Sequence, residues 1–198
     1  MSEVAALYID DRGPYPRLLG PDACWGIERD ARLYEGPWPV IAHPPCGPWT
    51  RNAFSCTQQD ASCGSIAFGQ VRRFGGVLEQ PAHSRMFEAN GAPKPGELHD
   101  AWGGYTIEVR QVDWGHVAPK PTWLYLVRCE PGPMPPAGTA THWCRKRPGQ
   151  VVSVKMCSKE QRRRTPVAFA EWLIQVARRT RRVGPGRDAD GFLAGECR

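Results

Sequence analysis

The chain has 198 residues, 41% hydrophobic and 10% aromatic, which excludes a disordered or fibrous protein and allows one domain with a buried core. A formal charge of +6 leans toward an anionic partner, nucleic acid or nucleotide, and no run of about 18 apolar residues is present to span a membrane. Gly 21 and Pro 20 place much of the chain in turns and loops.

The N-terminus, Met1-Ser2-Glu3-Val4-Ala5-Ala6-Leu7, has no basic segment ahead of an apolar one. No secretory signal is therefore expected, and the reducing cytoplasm is the expected compartment. The eight cysteines (24, 46, 56, 63, 129, 144, 157 and 197) then read as thiols, metal ligands or catalytic groups, not as a disulfide framework.

In chain order, residues 4–9 are an apolar run stopped by Asp10-Asp11-Arg12-Gly13-Pro14, a first buried strand and a turn. Residues 15–21 read as a proline-punctuated connection and 24–27 as a second short strand. Residues 38–42 are a third strand, running into His43-Pro44-Pro45-Cys46-Gly47-Pro48-Trp49-Thr50. Proline donates no N–H and fixes its own φ, so Pro44 and Pro45 stop the ladder. Cys46 is thereby presented on a stiff loop at a strand's C-terminal edge, where open α/β sheets place their chemistry. A buried structural cysteine beside a turn is the alternative.

Residues 50–64 are polar and read as a loop over that edge. Ile66, Ala67, Val71 and Phe74 predict a helix over 65–74, ended by Gly75-Gly76. Val77-Leu78-Glu79-Gln80-Pro81 is a strand entering a loop. Residues 84–90 form a turn or short helix, and 91–96 a loop. Residues 105–112 alternate apolar and polar, as a half-buried strand does. Trp114-Gly115-His116 turns the chain into 122–127, the most hydrophobic strand. Residues 130–138 are a proline-rich surface loop, and 151–154 a small edge element. Thr165 caps and Pro166 opens a helix whose Phe169, Trp172, Leu173, Val176 and Ala177 share one face. Residues 1–178 then form a single domain and 179–198 a basic tail. Strands alternating with helices or long connections predict an α/β sheet.

Three segments now line up: Pro44-Pro45-Cys46 after one strand, Val77-Leu78-Glu79 on a second, and Trp114-Gly115-His116 with Lys120-Pro121-Thr122 ahead of a third. In order and spacing they resemble the cytosine-5 DNA methyltransferases. The chain is more closely similar to the short methyltransferase-like proteins of phages and prophages, with His-Pro-Pro-Cys, Gly-Val-Leu-Glu-x-Pro, Trp-Gly-His and Lys-x-Thr. The resemblance covers residues 38–177, and Thr165-Pro166 before the last helix fits it.

The resemblance implies a compact Rossmann-like, methyltransferase-like α/β sheet with helices on its faces and a shortened N-terminal half. It implies a pyrimidine-modifying transferase. Cys46 would add at ring carbon 6, making carbon 5 nucleophilic, and Glu79 would support ring nitrogen 3. It implies S-adenosylmethionine as methyl donor, with Asp10, Glu28 and Asp30 standing nearest the position of the family's ribose-binding acid. Residues 8–15 hold no glycine-rich loop where the family has one. His43, Trp49, Arg51, Gln80, His116, Lys120 and Thr122 would line the substrate site. Gln80 replaces the family's asparagine, and Lys120 and Thr122 stand where it has arginines.

His43 reads equally as a group tuning the thiol or binding phosphate and as a strand cap. Arg72 and Arg73 are candidate phosphate contacts. Arg162-Arg163-Arg164 and Arg178, Arg179, Arg181 and Arg182 flank the last helix as a basic rim, either solvated or facing a phosphate backbone. Cys56 with Cys63, and His142 with Cys144, Cys157 and Cys129, are looser than zinc-knuckle spacing, so no metal is assigned. DNA or a pyrimidine nucleotide is the expected partner, with no membrane, and a partner subunit could supply missing parts. The residues leave open whether the ring is cytosine or uracil. A catalytically silent nucleic-acid-binding module with the same sheet and no cofactor loop is the alternative.

Overall fold

The structure is a computed structural model and describes residues 3–49, 60–143 and 155–181. Its strands are β1 (Ala5–Leu7), β2 (Cys24–Trp25), β3 (Val40–Ala42), β4 (Gly76–Pro81), β5 (Tyr105–Arg110) and β6 (Pro121–Val127). Its helices are α1 (Tyr15–Leu19), α2 (Ser62–Phe74), α3 (Met86–Ala89), α4 (Lys159–Arg163) and α5 (Val167–Arg178). One mixed sheet runs in the order β2-β1-β3-β4-β6-β5. β1 pairs in parallel with β2 and β3, and β3 with β4, while β6 is antiparallel to both β4 and β5.

The fold is α/β with helices on both faces of the sheet. The period of two along each strand decides which residue goes where. Ala5, Leu7, Val40, Ala42, Leu78, Tyr125 and Val127 face α2 and α3, where they meet Phe68, Val71, Met86 and Phe87. Val4, Ala6, Ile41, Val77, Leu124 and Leu126 face α1 and α5, where they meet Tyr15, Phe169, Leu173 and Val176. Both faces of β1 and β3 are covered, which is why those strands read as unbroken apolar runs. Each fully buried Leu or Val contributes about 1.5–3 kcal/mol, so this core carries the domain.

The structure departs from the sequence reading at helix ends. α2 starts at Ser62, not at 65. Ser62-Cys63-Gly64 has no apolar period, but the backbone of Gly64 is pressed against Trp49 and Met86: a Cβ there would lie 2.9 Å from Trp49 Nε1 and 3.0 Å from Met86 Cε. Thr165 does not cap α5; Pro166 holds that position without a side-chain cap. The capped helix is α4, which the sequence reading lacked. The Ser158 side chain accepts from Gln161 N at 3.0 Å and the Gln161 side chain accepts from Ser158 N at 2.8 Å. α1 occupies what reads as a proline connection, with Pro16 in its first turn and Tyr15, Leu18 and Leu19 against the core. The element at 151–154, the loop 50–59 and the tail beyond 181 lie outside the described residues. Among the described residues no helix is long and apolar enough to cross a membrane.

Candidate active site

The polar residues of the site continue the apolar rows of one sheet face. His43 follows Ile41 by two, Glu79 follows Val77 by two, Gln111 follows Val109 by two, and Thr122 precedes Leu124 by two. All four therefore emerge on the α1/α5 face, at the edge where the parallel strands end. His43 N donates to Leu7 O at 3.0 Å, so the ladder still holds it. The pairing of Ala42 with Leu78 sets His43 beside Glu79.

These side chains form one hydrogen-bonded chain. The Tyr15 hydroxyl lies 2.7 Å from His43 Nε2, and His43 Nδ1 lies 3.1 Å from Glu79 Oε2. Gln111 Nε2 donates to Glu79 Oε1 at 3.0 Å and to Thr122 Oγ1 at 3.1 Å. Thr122 Oγ1 donates onward to Lys120 O at 3.0 Å. Burial, with help from Glu79 and Cys24, pushes the Tyr15 phenol well above its ordinary range, so it stays neutral. It bonds His43 Nε2, and His43 Nδ1 donates to the carboxylate. Burial pushes the Glu79 carboxyl upward, but the His43 hydrogen bond and charge, Lys120 and the Gln111 amide outweigh it. The group sits below its usual value. Glu79 is thus an ionised acceptor, with its side chain still 15% exposed.

Cys46 is exposed, on the loop that Pro44 and Pro45 force away from the sheet. Its carbonyl accepts from Trp49 N at 3.0 Å and closes a 3₁₀ turn over Gly47–Trp49. Gln80 adjoins Glu79 in sequence, so it points to the other face. Its Nε2 donates to Pro44 O at 2.5 Å, and its Oε1 accepts from Ser84 Oγ at 3.4 Å. One strand, β4, therefore presents the carboxylate and tethers the cysteine loop.

The other residues expected to line the site are bonded within the fold. Gln80, 1% exposed, holds the loop. Thr122, fully buried, positions Gln111. His116 is buried with all its bonds to backbone: Nδ1 accepts from Ala118 N at 3.0 Å, and Nε2 donates to Gln161 O at 2.9 Å, tying the turn to α4. Lys120 Nζ donates to Arg164 O at 2.9 Å and adds positive potential at Glu79. Trp49 is half-buried against Gly64, and its carbonyl accepts from Arg85 N at 3.3 Å. Arg72 is engaged within the fold: its guanidinium stacks 3.8 Å from the Trp102 ring and bonds Tyr125, Asn90 O and Asp100. Arg73 reaches Glu35 at 3.9 Å. Arg162, Arg163, Arg164, Arg178, Arg179 and Arg181 are exposed. Arg51, Cys56, Cys144, Arg182 and Cys197 lie outside the described residues.

The loop after β1 does not fit S-adenosylmethionine. The chain leaves β1 through Tyr8, in the left-handed region at φ 58°, and enters a turn in which Asp10 accepts from Arg12 N at 3.0 Å. Tyr15 then fills the space beside His43, ring centroids 5.2 Å apart. Asp30 caps a 3₁₀ turn and pairs with Arg32 at 2.7 Å, so its carboxylate is occupied, and Glu28 is exposed on a surface turn. Among the described residues no group of three or more His, Cys, Asp or Glu could hold a metal, and Cys24, Cys46, Cys63, Cys129 and Cys157 are not in disulfides.

Tyr15 and Gln111 are absent from the sequence-based site. A signal existed for Gln111: it continues the inward positions 107 and 109 of an alternating strand, where a buried amide needs a partner. Nothing local marks Tyr15, whose partner is 28 residues away. No family model, curated protein or solved structure matches this chain.

Proposed function

We propose that this chain is a pyrimidine-modifying enzyme of the kind its motifs resemble. The Cys46 thiolate adds to ring carbon 6, the ring becomes an enolate or enamine, and carbon 5 attacks an electrophile. Loss of the carbon-5 proton then expels the thiolate. The observation that supports this reading is the double use of β4: Glu79 stands at the sheet edge while Gln80 ties down the loop that presents Cys46. A nucleophile and a carboxylate held by adjacent residues are preorganised for one substrate. S-adenosylmethionine is the electrophile the resemblance implies. The described residues after β1 do not hold it, so a partner subunit that supplies that part belongs to the proposal.

The test is intact mass after incubation with DNA containing 5-fluorocytosine, with and without S-adenosylmethionine. Fluorine at carbon 5 blocks the final elimination, so a working enzyme traps itself. A covalent adduct that disappears in Cys46→Ser is expected. Turnover undiminished in Cys46→Ser would overturn the mechanism.

A second reading, a silent nucleic-acid-binding module, is favoured by the loop after β1, which lacks a cofactor cradle, and by the exposed arginines of α4, α5 and the residues after it. It expects DNA affinity that falls steeply with salt, is the same in Cys46→Ser, and comes with no adduct.

A further inference from the structure

We infer that a cleft at the opposite end of the sheet from Cys46 and Glu79 binds single-stranded nucleic acid, with a base stacked on His99 and phosphate held among Arg128, Arg179 and Arg181. The inference goes beyond the proposed reaction and uses none of its residues. β5 separates the two places. Tyr105 opens that strand in the cleft, and Gln111 follows it at the other edge, about 20 Å away at ~3.3 Å per residue.

The cleft has a volume of about 520 Å³, and its walls include His99, Tyr105, Arg128, Glu130, Arg179 and Arg181. Three guanidiniums therefore stand against one carboxylate. Arg128 donates to Arg72 O at 3.4 Å and to Arg73 O at 2.8 Å, in the last turn of α2, and Arg179 donates to Pro131 O at 3.2 Å. Carbonyl bonds fix these forks without neutralising them and leave other N–H groups to donate. Arg181 meets Glu130 at 3.6 Å, an exposed and therefore weak pair. Among the described residues Arg128 and Arg179 have no carboxylate partner. Burial works against the Arg128 charge, which a bound anion would offset. The turn at Arg128, φ 57°, lets its carbonyl accept from Arg181 N at 2.8 Å, so the fold itself brings these arginines together.

The aromatic side of the cleft is equally fixed. Tyr105 is the inner ring, half-buried, with its hydroxyl donating to Cys129 O at 3.0 Å. His99 is exposed and stacks on it, centroids 4.9 Å and planes 13° apart, so its outer face is open. Asp100 pins the turn that follows. Its Oδ1 accepts from Trp102 N at 3.0 Å and Gly104 N at 2.8 Å, and its Oδ2 accepts from the Tyr125 hydroxyl at 2.5 Å. The same turn leaves Trp102 52% exposed, with the Arg72 guanidinium against one face of its ring. Rings held open on a stiff turn beside unneutralised arginines suit the bases and phosphates of a single strand. A duplex keeps its base faces stacked inside and gains only the charge contact.

The experiment is fluorescence anisotropy of a fluorescein-labelled oligothymidylate of about twelve nucleotides, titrated with the full chain at a series of salt concentrations. His99→Ala is expected to weaken binding about tenfold, and His99→Phe, which keeps a ring, to restore most of it. Arg179→Ala with Arg181→Ala should weaken binding at least as much. It should also flatten the slope of log affinity against log salt by about 0.7 for each arginine removed. All three side chains are exposed, so native circular dichroism is expected in every variant. A matched duplex should compete poorly, and free dTMP only at far higher concentration. No binding of the oligonucleotide overturns the inference, as does wild-type affinity in His99→Ala or in the double arginine variant. A duplex that competes as well as the strand overturns the single-strand assignment. Competition by dTMP at equal concentration overturns the strand as ligand and leaves a free nucleotide in its place. The Cys46 adduct is a separate measurement, so each of these outcomes leaves the proposed reaction standing.

Discussion

His43 Nδ1 meets Glu79 Oε2 at 3.1 Å across the parallel pair β3–β4, joining residues 36 apart in the chain. Neither group is placed by its own segment. Each is simply the next inward residue after an apolar one, and the crossover through α2 brings the two strands side by side.

Removing one partner leaves the other buried and unsatisfied. His43→Ala is expected to destabilise the fold by about 1–3 kcal/mol in urea unfolding. Its Glu79 carboxyl should rise, because burial remains and the largest opposing interactions are gone. His43→Gln, whose amide can still donate, should recover part of the stability; no difference between the two variants would show that the bond contributes nothing.

The Glu79 carboxyl lies below its ordinary value of 4.5 in the folded state. A depressed folded-state value contributes stability above the unfolded value and loses it as pH falls through the folded one. Tyr15, His43 and Lys120 are the titratable groups turned toward it. The unfolding free energy should therefore fall as pH drops below about 4.5. The Glu79→Gln profile should be flatter there, as measured by urea titrations at a series of pH values.

Gln80 acts at a distance from the ring. Gln80→Leu keeps the side-chain bulk but releases Pro44 O, a loss of about 1–3 kcal/mol. If the tether positions Cys46, the rate of covalent adduct formation with 5-fluorocytosine DNA should drop on the order of 100-fold while circular dichroism stays native. A rate within a factor of about two of wild type would confine Gln80 to a packing role.

Gly76 opens β4 at φ 112°, and a Cβ there would collide with the Val40 backbone oxygen. Neither the strain nor the clash can be relieved by a side-chain rotation. Gly76→Ala is expected to destabilise by about 3 kcal/mol, lowering Tm by roughly 6–12 °C. Gly91→Ala, at φ 59° but in open space, should lose less.

The glycine pair shows how much was legible. Gly75-Gly76 reads as a helix end, and Gly75 does close α2, its N–H donating to Val71 O at 2.8 Å. The second glycine is required by β3, a strand that no local window includes. The same division runs through the site. Pro44-Pro45-Cys46 at a strand's end and Glu79 at another's follow from proline chemistry and apolar runs. That Gln80 and Thr122 hold the site together from within, and that His116 serves α4, depends on which backbone groups lie opposite them.

By itself the sequence determined the apolar runs of β1, β3, β4 and β6, the face of α5 and the exposed turn that carries Cys46, because those depend on side-chain period and on residues that cannot continue a ladder. Tertiary structure alone decided the start of α2, the existence of α1 and α4, and the chain of bonds from Tyr15 through His43 and Glu79 to Gln111 and Thr122. Those features need a neighbour in space: a buried polar group is placed by whichever donor or acceptor the sheet order sets against it, and strand order is a property of the whole chain.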